Sequence, residues 1–265
     1  MVAVDFPAEH LPIVVAHRGA SATFPENTLE AFDAAVGAGA AAVEFDVRLS
    51  ADGVPVVVHD PDVGRVSGSP GFVHELSADD LQELDLTGGG RIPTLREVLD
   101  LLSGRTGIDI EIKNIPGEPA FDSPTEAVLE ACLRELRDSG FAGPVLVTSF
   151  NWLTIERCRE LEPSIPTGFL TIGAVEPRAA FVYARDAGHR WVLPNAAPLL
   201  EAGDAFVQEV HAAGMLVGTW VVDDAEPFAR LLAMGVDAVA TNDPVLGAGV
   251  RSEFVSWEGR GTFRD

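Results

Sequence analysis

Short apolar runs alternate with helix-like segments along most of the chain. The β-like runs are IVVAH (Ile13–His17), AAVEFDVRL, VPVVVHD (Val54–Asp60), IDIEIK, PVLVTSF, TGFL, WVLPN, LVGTWVV and VDAVATND. Apolar residues at helical spacing predict helices at about 28–36, 94–102, 124–139, 152–161, 177–187, 202–213 and 225–234. About eight β-then-α units in 265 residues favour an α/β fold of the (β/α)8 TIM-barrel type.

One segment interrupts this alternation. Residues 61–91 are rich in Gly, Ser and Pro and have no long periodic pattern, so they predict a small subdomain inserted between the second strand region and its helix. The last residues, from about 250 to 265, are predicted to form a peripheral tail. We therefore predict a single barrel domain over residues 1–265 with one insertion.

The charge balance excludes several classes of partner. With 41 acidic and 18 basic residues, the net charge is −23, so we expect neither nucleic-acid binding nor attraction to an anionic membrane. The sequence has no apolar run of membrane-spanning length and no pattern typical of a signal peptide. We expect a cytoplasmic monomer or homodimer in which Cys132 and Cys158 are reduced, although two cysteines could also pair.

Polar side chains recur where the predicted strands end, which is where TIM barrels carry their active sites. His17 and Arg18 end the first strand, and His59 follows three valines. Side chains two residues apart on a strand share a face, so Glu44 and Asp46 are predicted to face inward together. In IDIEIK, Glu111 and Lys113 are likewise predicted to face inward. The alternate residues of that strand are predicted to face the helices: Ile108, Ile110 and Ile112. Trp220 ends the seventh strand, and TNDP ends the eighth.

Each of these features has an ordinary structural explanation, such as a packing tryptophan, a solvated carboxylate pair or a structural ion pair. Their convergence at one end of a barrel changes the interpretation, because buried charges are costly unless they are paired or metal-bound. Three carboxylates favour a divalent cation, Ca²⁺ or Mg²⁺. Arg18 and Lys113, the only lysine in the chain, are suited to grip a phosphate, and two histidines can supply general acid and base. The sequence therefore predicts phosphoester hydrolysis.

The segment AHRGASATFPENTLEAFDAAVGAGAAAVEFDVRLSADGVPVVVHD resembles the opening of the glycerophosphodiester phosphodiesterase family. IPTLREVLDLL, IDIEIKN, VLVTSF, GTWVV and ATNDP extend the resemblance in order, from about Val14 to Pro244. It implies a distorted (β/α)8 barrel with the insertion described above. It also implies a set of site residues: a divalent cation on Glu44, Asp46 and Glu111, acid–base catalysis by His17 and His59, phosphate binding by Arg18 and Lys113, and support from Asn27 and Trp220.

The resemblance implies metal-dependent hydrolysis of glycerophosphodiesters, such as glycerophosphocholine, to an alcohol and glycerol 3-phosphate, with a cyclic phosphate as one proposed intermediate. One alternative is a lipid phosphodiesterase of the lysophospholipase D or sphingomyelinase D type. A second, non-enzymatic alternative is a barrel that only binds metal or phosphate. Arg65 matches the family, but Val66 and Ser67 replace its usual threonines, and Asp109 has no assigned role.

Overall fold

Eight parallel strands close into a barrel in the computed structural model, which describes the backbone of residues 5–261 and the side chains of residues 5–256. The barrel strands are β1 (Ile13–His17), β2 (Ala42–Leu49), β4 (Gly107–Ile112), β5 (Val145–Ser149), β6 (Thr167–Thr171), β7 (Trp191–Pro194), β8 (Leu216–Thr219) and β9 (Ala238–Thr241). A short strand, β3 (Pro55–Val57), pairs antiparallel with β2. The remaining pairs follow chain order, and β1 closes the barrel by pairing with both β2 and β9. The predicted TIM-barrel fold is confirmed.

Helices connect the strands on the outside of the barrel. They are α1 (Leu29–Gly37), α2 (Gly64–Ser67), α3 (Ala78–Gln82), α4 (Leu95–Leu102), α5 (Ala127–Ser139), α6 (Trp152–Leu161), α7 (Pro177–Asp186), α8 (Ala196–Ala202), α9 (Asp204–Ala212), α10 (Ala225–Ala233) and α11 (Pro244–Gly261). The predicted N-cap Thr94 starts α4 through a capping box with Glu97, which satisfies backbone donors that a helix start would leave unpaired. None of the described helices combines the length and apolar character needed to cross a membrane.

The alternation in β4 sets the two faces of the barrel wall as the sequence predicts. Ile108, Ile110 and Ile112 are fully buried in an outer core that also contains Leu95 and Leu99 of α4. The intervening side chains point into the barrel interior, where Asp109, Glu111 and Lys113 line a cavity. A strand buried on both sides therefore separates an apolar layer under the helices from a polar interior.

The segment between β3 and α4 forms a small unit at the carboxyl end of the barrel. It contains α2, α3 and a 3₁₀ turn at Val73–Glu75, and it has its own apolar cluster. The buried members of this cluster are Val56, Val58, Val63, Val73, Ala78, Leu81, Leu86 and Ile92. This apolar packing holds the insertion against the barrel, close to the residues that follow β3.

Two local expectations differ from the structure. The helix predicted at about 202–213 is present as α9, but the sequence predicts no helix at 196–202, where the structure has α8; Gly203, with a φ of 76°, separates the two helices. The strand predicted over Val54–Asp60 spans only Pro55–Val57, so His59 lies in the loop that follows it. The predicted tail from residue 250 continues α11, where Arg251 donates hydrogen bonds to the carbonyls of Pro12 and His10, and residues 262–265 lie outside the described part.

Cys132 on α5 and Cys158 on α6 are both buried, and neither forms a disulfide. That both thiols are reduced in the cell stays a prediction.

Candidate active site

A cavity of about 240 Å³ opens at the carboxyl ends of the barrel strands. Most of the predicted site residues line it: His17, Arg18, Glu44, His59, Glu111, Lys113 and Trp220. Asp46 and Asn27 lie behind this wall, where the Asn27 side-chain amide donates a 2.8 Å hydrogen bond to Asp46 Oδ2. The structure therefore brings the predicted residues together in two layers, one facing the cavity and one supporting it.

Three carboxylates meet because of the strand register. Glu44 lies opposite His17 on β1, and Asp46 lies opposite Glu111 on β4. Glu44, Asp46 and Glu111 each offer one oxygen within 4.8 Å of the others, and all three are buried. Burial, reinforced by Asp46 and Glu111, raises the pKa of Glu44 well above its usual value. Among the described residues, Glu44 Oε1 has no hydrogen-bond partner, as expected of an oxygen arranged for a cation.

Two basic side chains contact this acidic cluster directly. Lys113 Nζ lies 3.0 Å from Asp46 Oδ1 and also donates to Glu111 Oε1. Arg18 Nε lies 3.2 Å from Asp46 Oδ2. Burial raises the pKa of Asp46, but the charges of Lys113 and Arg18 outweigh it and hold that pKa well below its usual value. Asp46 therefore stays ionised.

The turn after β1 places Arg18 in an unusual backbone conformation. Arg18 has a φ of 56° and Asn27 has a φ of 58°, both in the left-handed region. Such conformations cost about 1–3 kcal/mol each and persist only where surrounding contacts hold them. Here Arg18 N donates to Glu44 Oε2 at 2.8 Å, and Asn27 N donates to Arg18 O at 3.1 Å. Gly19 is required next, because a Cβ there would lie 2.7 Å from the carbonyl carbon of Ala31.

The protonation of His17 follows from its neighbours. Asn242 Nδ2 donates to Asp223 Oδ2 at 2.6 Å, so the Asn242 amide oxygen faces His17 Nδ1, at 2.8 Å. An amide oxygen only accepts, so Nδ1 carries the proton and Nε2 is left as a base. Burial and the neighbouring Arg18 charge lower the pKa of His17 to about 4, which keeps the ring neutral near pH 7.

His59 has a carboxylate partner instead of an amide. Its Nδ1 lies 2.6 Å from Asp60 Oδ1, and its backbone carbonyl accepts a 2.8 Å hydrogen bond from Arg48 Nε. Burial lowers the pKa of His59, although the charge of Asp46 opposes this shift. Because a carboxylate stabilises an imidazolium better than an amide does, His59 is the better proton carrier of the two histidines.

The opposite wall of the cavity is apolar. Leu170, Leu193, Ala238 and Ala240 line it. Trp220 Nε1 donates to the carbonyl of Leu193 at 3.1 Å, and its ring packs edge-on against Phe150 at a centroid distance of 5.2 Å. The cavity therefore has a charged half on β1, β2 and β4 and an apolar half on β6 to β9.

Several residues of the site were given no role by the sequence reasoning. Asn242 lies in TNDP, Glu26 lies in the PENT segment, and Asp60 directly follows His59. Their position in or beside the motifs that contain predicted site residues is the one sequence feature that indicates a role in the site. Asp109 also lines the cavity, where it accepts a 2.8 Å hydrogen bond from Thr148 Oγ1, and burial raises its pKa to about 7.

A parallel (β/α)8 barrel with acidic, basic and imidazole groups at the carboxyl ends of its strands has the architecture of a TIM-barrel enzyme. Residues 17–246 match the model of the glycerophosphoryl diester phosphodiesterase family. A glycerophosphodiester phosphodiesterase of Caldanaerobacter subterraneus is 32% identical over 242 residues, which cover 88% of this chain and 94% of that protein. The chain therefore belongs to the glycerophosphodiester phosphodiesterase family.

Solved structures agree with this assignment. An Oleispira antarctica phosphodiesterase in complex with the product sn-glycerol-3-phosphate superimposes with a TM-score of 0.82 and 27% identity, covering 92% of this chain and 98% of that one. The glycerophosphodiester phosphodiesterase of Thermotoga maritima gives a TM-score of 0.75 and 28% identity, covering 90% and 98%. The similarity thus spans nine tenths of the chain.

Proposed function

We propose that this protein hydrolyses glycerophosphodiesters to an alcohol and glycerol 3-phosphate. The observation that carries the proposal is the convergence of three carboxylates, two imidazoles, Arg18 and Lys113 at one cavity of about 240 Å³. The product complex of the Oleispira antarctica relative supports a substrate of this class.

Glu44, Asp46 and Glu111 would hold a divalent cation. Their converging oxygens and the unpartnered Glu44 Oε1 fit such an ion, and an all-oxygen ligand set suits Ca²⁺ or Mg²⁺. When bound, the cation would neutralise the carboxylates and stabilise negative charge on the phosphate oxygens. Arg18 and Lys113 would contribute further positive charge to the same side of the cavity.

The two histidines would exchange roles between two steps. In the first, neutral His17 Nε2 accepts the proton of the glycerol 2-hydroxyl as its oxygen attacks phosphorus, and His59 protonates the departing alcohol. The products are a cyclic phosphate and the free alcohol. In the second, His59 takes a proton from water, which opens the ring, and His17 returns its proton to the 2-oxygen. The different partners of the rings, Asn242 and Asp60, support this order.

A coupled assay for glycerol 3-phosphate tests the main proposal. Purified protein is given a panel of diesters with choline, ethanolamine, glycerol and other head groups, with metal and after chelation. We expect glycerol 3-phosphate to form only with metal present. Release of phosphocholine in place of free choline, or no turnover of any diester in the panel, would contradict the proposal.

A second candidate is hydrolysis of lipid diesters of the lysophospholipase D or sphingomyelinase D type. It is favoured by the position of the exposed aromatic side chains. Four aromatic residues are exposed among the described side chains: Phe24, Phe72, Phe121 and Trp152. All four lie at the catalytic end of the barrel, in loops that follow strands, in the insertion or at the start of α6. Exposed apolar surface beside an active site is one of the features that mark contact with a membrane or an apolar ligand.

Matched substitutions separate the two candidates. Phe72→Ser and Trp152→Ser should lower turnover of micellar lysophosphatidylcholine but not of glycerophosphocholine, if lipid is a substrate. Val182→Ser and Val255→Ser change exposed apolar residues on α7 and α11, away from this mouth, and serve as controls. Equal activity of all four variants on micelles, or no wild-type activity there, would exclude the lipid candidate.

A further inference from the structure

One guanidinium of the insertion contacts two carboxylates of the active-site loops. Arg65 on α2 donates through Nε to Asp60 Oδ2 at 2.5 Å. Its two terminal nitrogens donate to Glu26, at 2.7 Å to Oε1 and 3.0 Å to Oε2. The planar fork of an arginine can make these three bonds at once, which a lysine ammonium at the same place could not do.

Each of these carboxylates also contacts a residue that lines the cavity. Asp60 Oδ1 lies 2.6 Å from His59 Nδ1, and Glu26 Oε1 accepts a 3.0 Å hydrogen bond from Arg18 Nη1. A continuous chain of contacts therefore runs from the imidazole to the phosphate-binding guanidinium. Arg65 is the central member of this chain and the only member contributed by the insertion's own helix.

Both carboxylates are kept as acceptors by this arrangement. Burial raises the pKa of Asp60, but the hydrogen bonds from Arg65 and His59 outweigh it and hold that pKa below its usual value. Burial likewise opposes the ionisation of Glu26, and the hydrogen bond and charge of Arg65, with the charge of Arg18, lower its pKa overall. An ionised Asp60 fixes the proton of His59 on Nδ1, which leaves Nε2 for proton transfer in the cavity.

The exposure of Arg65 indicates whether this residue acts on the geometry of the active site or on the stability of the fold. Its side chain is 50% exposed, and ion pairs of such exposed residues contribute little to the free energy of unfolding. By contrast, small displacements of a proton-transfer group have large effects on rate. The contribution of Arg65 is therefore expected in the geometry of the site and not in the stability of the fold.

We propose that Arg65 is a positioning residue through which the insertion sets the tautomer and placement of His59, by way of Asp60, and the placement of Arg18, by way of Glu26. This inference rests on the proposed function only for its kinetic consequence. The contacts themselves predict a change at His59 that is measurable without any substrate.

The test compares Arg65→Gln with Arg91→Gln in the full-length protein. Arg91 is a matched control, because it is 41% exposed, is the last residue of the insertion and pairs with a carboxylate, Glu97, that does not line the cavity. Nitrogen-15 NMR of the imidazoles should show a loss of the Nδ1-protonated tautomer of His59 in Arg65→Gln, with His17 unchanged. Arg91→Gln should change neither ring. An unaltered His59 in Arg65→Gln would overturn the proposal.

Kinetics supply a second, independent readout. We expect Arg65→Gln to lower kcat on a diester that the wild type turns over by about 10-fold to 100-fold, with a smaller change in KM and an unchanged Tm. In an Asp60→Asn background, Arg65→Gln should lower kcat by a clearly smaller factor than in the wild type, because both substitutions act through the same chain of contacts. If the decrease in kcat of the double variant equals the product of the two single decreases, Arg65 does not act through Asp60. Absence of turnover in the wild type would count against the proposed function and leave the NMR result to decide on Arg65.

Discussion

The ammonium of Lys113 lies 3.0 Å from Asp46 Oδ1, in the interior of the barrel. It also donates to Glu111 Oε1, so the only lysine of the chain bridges two carboxylates on neighbouring strands. Burial lowers the pKa of Lys113, but Glu111 and Asp46 outweigh it and raise that pKa above its usual value. The ammonium is therefore charged at any working pH, and it lies on the wall of the cavity in which we expect the phosphate to bind.

Replacing this lysine with arginine should damage the enzyme even though the charge is kept. A guanidinium is larger and planar, so it cannot take the compact position between Asp46 and Glu111 without displacing one of them. We expect Lys113→Arg to lower kcat about 10-fold or more, as measured in the glycerol 3-phosphate assay. Arg105→Lys is the matched control, since Arg105 pairs with Asp33 on the surface. Wild-type kinetics for Lys113→Arg would show that a guanidinium fits between Asp46 and Glu111 without disturbing the site.

Each cavity histidine should be needed for turnover. His17→Ala removes the group with a free Nε2, and His59→Ala removes the group backed by Asp60, so each should lower kcat by about 100-fold or more. His211 provides the control, because its Nε2 pairs with Asp237 outside the cavity. His211→Ala should therefore keep its kcat, and a near-normal rate for either cavity variant would exclude that histidine from proton transfer.

The contributions of sequence and structure can be separated residue by residue. The two-residue period of β4 correctly predicts that Ile110 faces the helices and that Glu111 faces the interior, because this period is a property of any strand. The contact between His17 and Asn242 joins residues 225 positions apart, and it exists only because β1 and β9 are neighbours in the closed barrel. No local pattern encodes that contact.

Lys113 shows the same limit. The sequence places it on the face of Glu111, and we expected it to contact phosphate. The structure places its ammonium on two carboxylates, because Asp46 and Glu111 are register partners on adjacent strands and leave a position between them for one compact cation. The contact with phosphate remains a prediction. Likewise, His59 reaches the cavity from a loop and not from a strand end, since β3 stops at Val57.

The pH dependence should reflect the low pKa of His17. Burial and the charge of Arg18 bring that pKa to about 4 from an ordinary value of 6.5. As the base must be neutral, activity is present above the folded-state pKa and is lost as the pH falls through it. We expect the acidic limb of kcat/KM to lie clearly below pH 6.5, as read from initial rates between about pH 4 and 9. An acidic limb at or above 6.5 would contradict a buried, neutral His17.

The acidic cluster should bind metal at the expense of stability. Burial and the neighbouring Asp46 and Glu111 charges raise the pKa of Glu44. In the metal-free protein, the ionised form of this carboxylate is therefore destabilised. Glu44→Gln removes one charge and one ligand, and we expect it to weaken Ca²⁺ or Mg²⁺ binding by about 10-fold or more in calorimetric titrations. The same change should raise the Tm of the chelated protein, because it relieves the repulsion.

Glu135→Gln is the control for both measurements, because Glu135 pairs with Arg96 on the surface, away from the cavity. It should leave metal affinity unchanged and shift the Tm little, since exposed ion pairs contribute about 0–1 kcal/mol. Metal affinity that is equal in Glu44→Gln and in the wild type would show that the cation is held elsewhere. A lower Tm for chelated Glu44→Gln would show instead that the carboxylate is stabilised by its contact with Arg18 N, and that the cluster is not strained without metal.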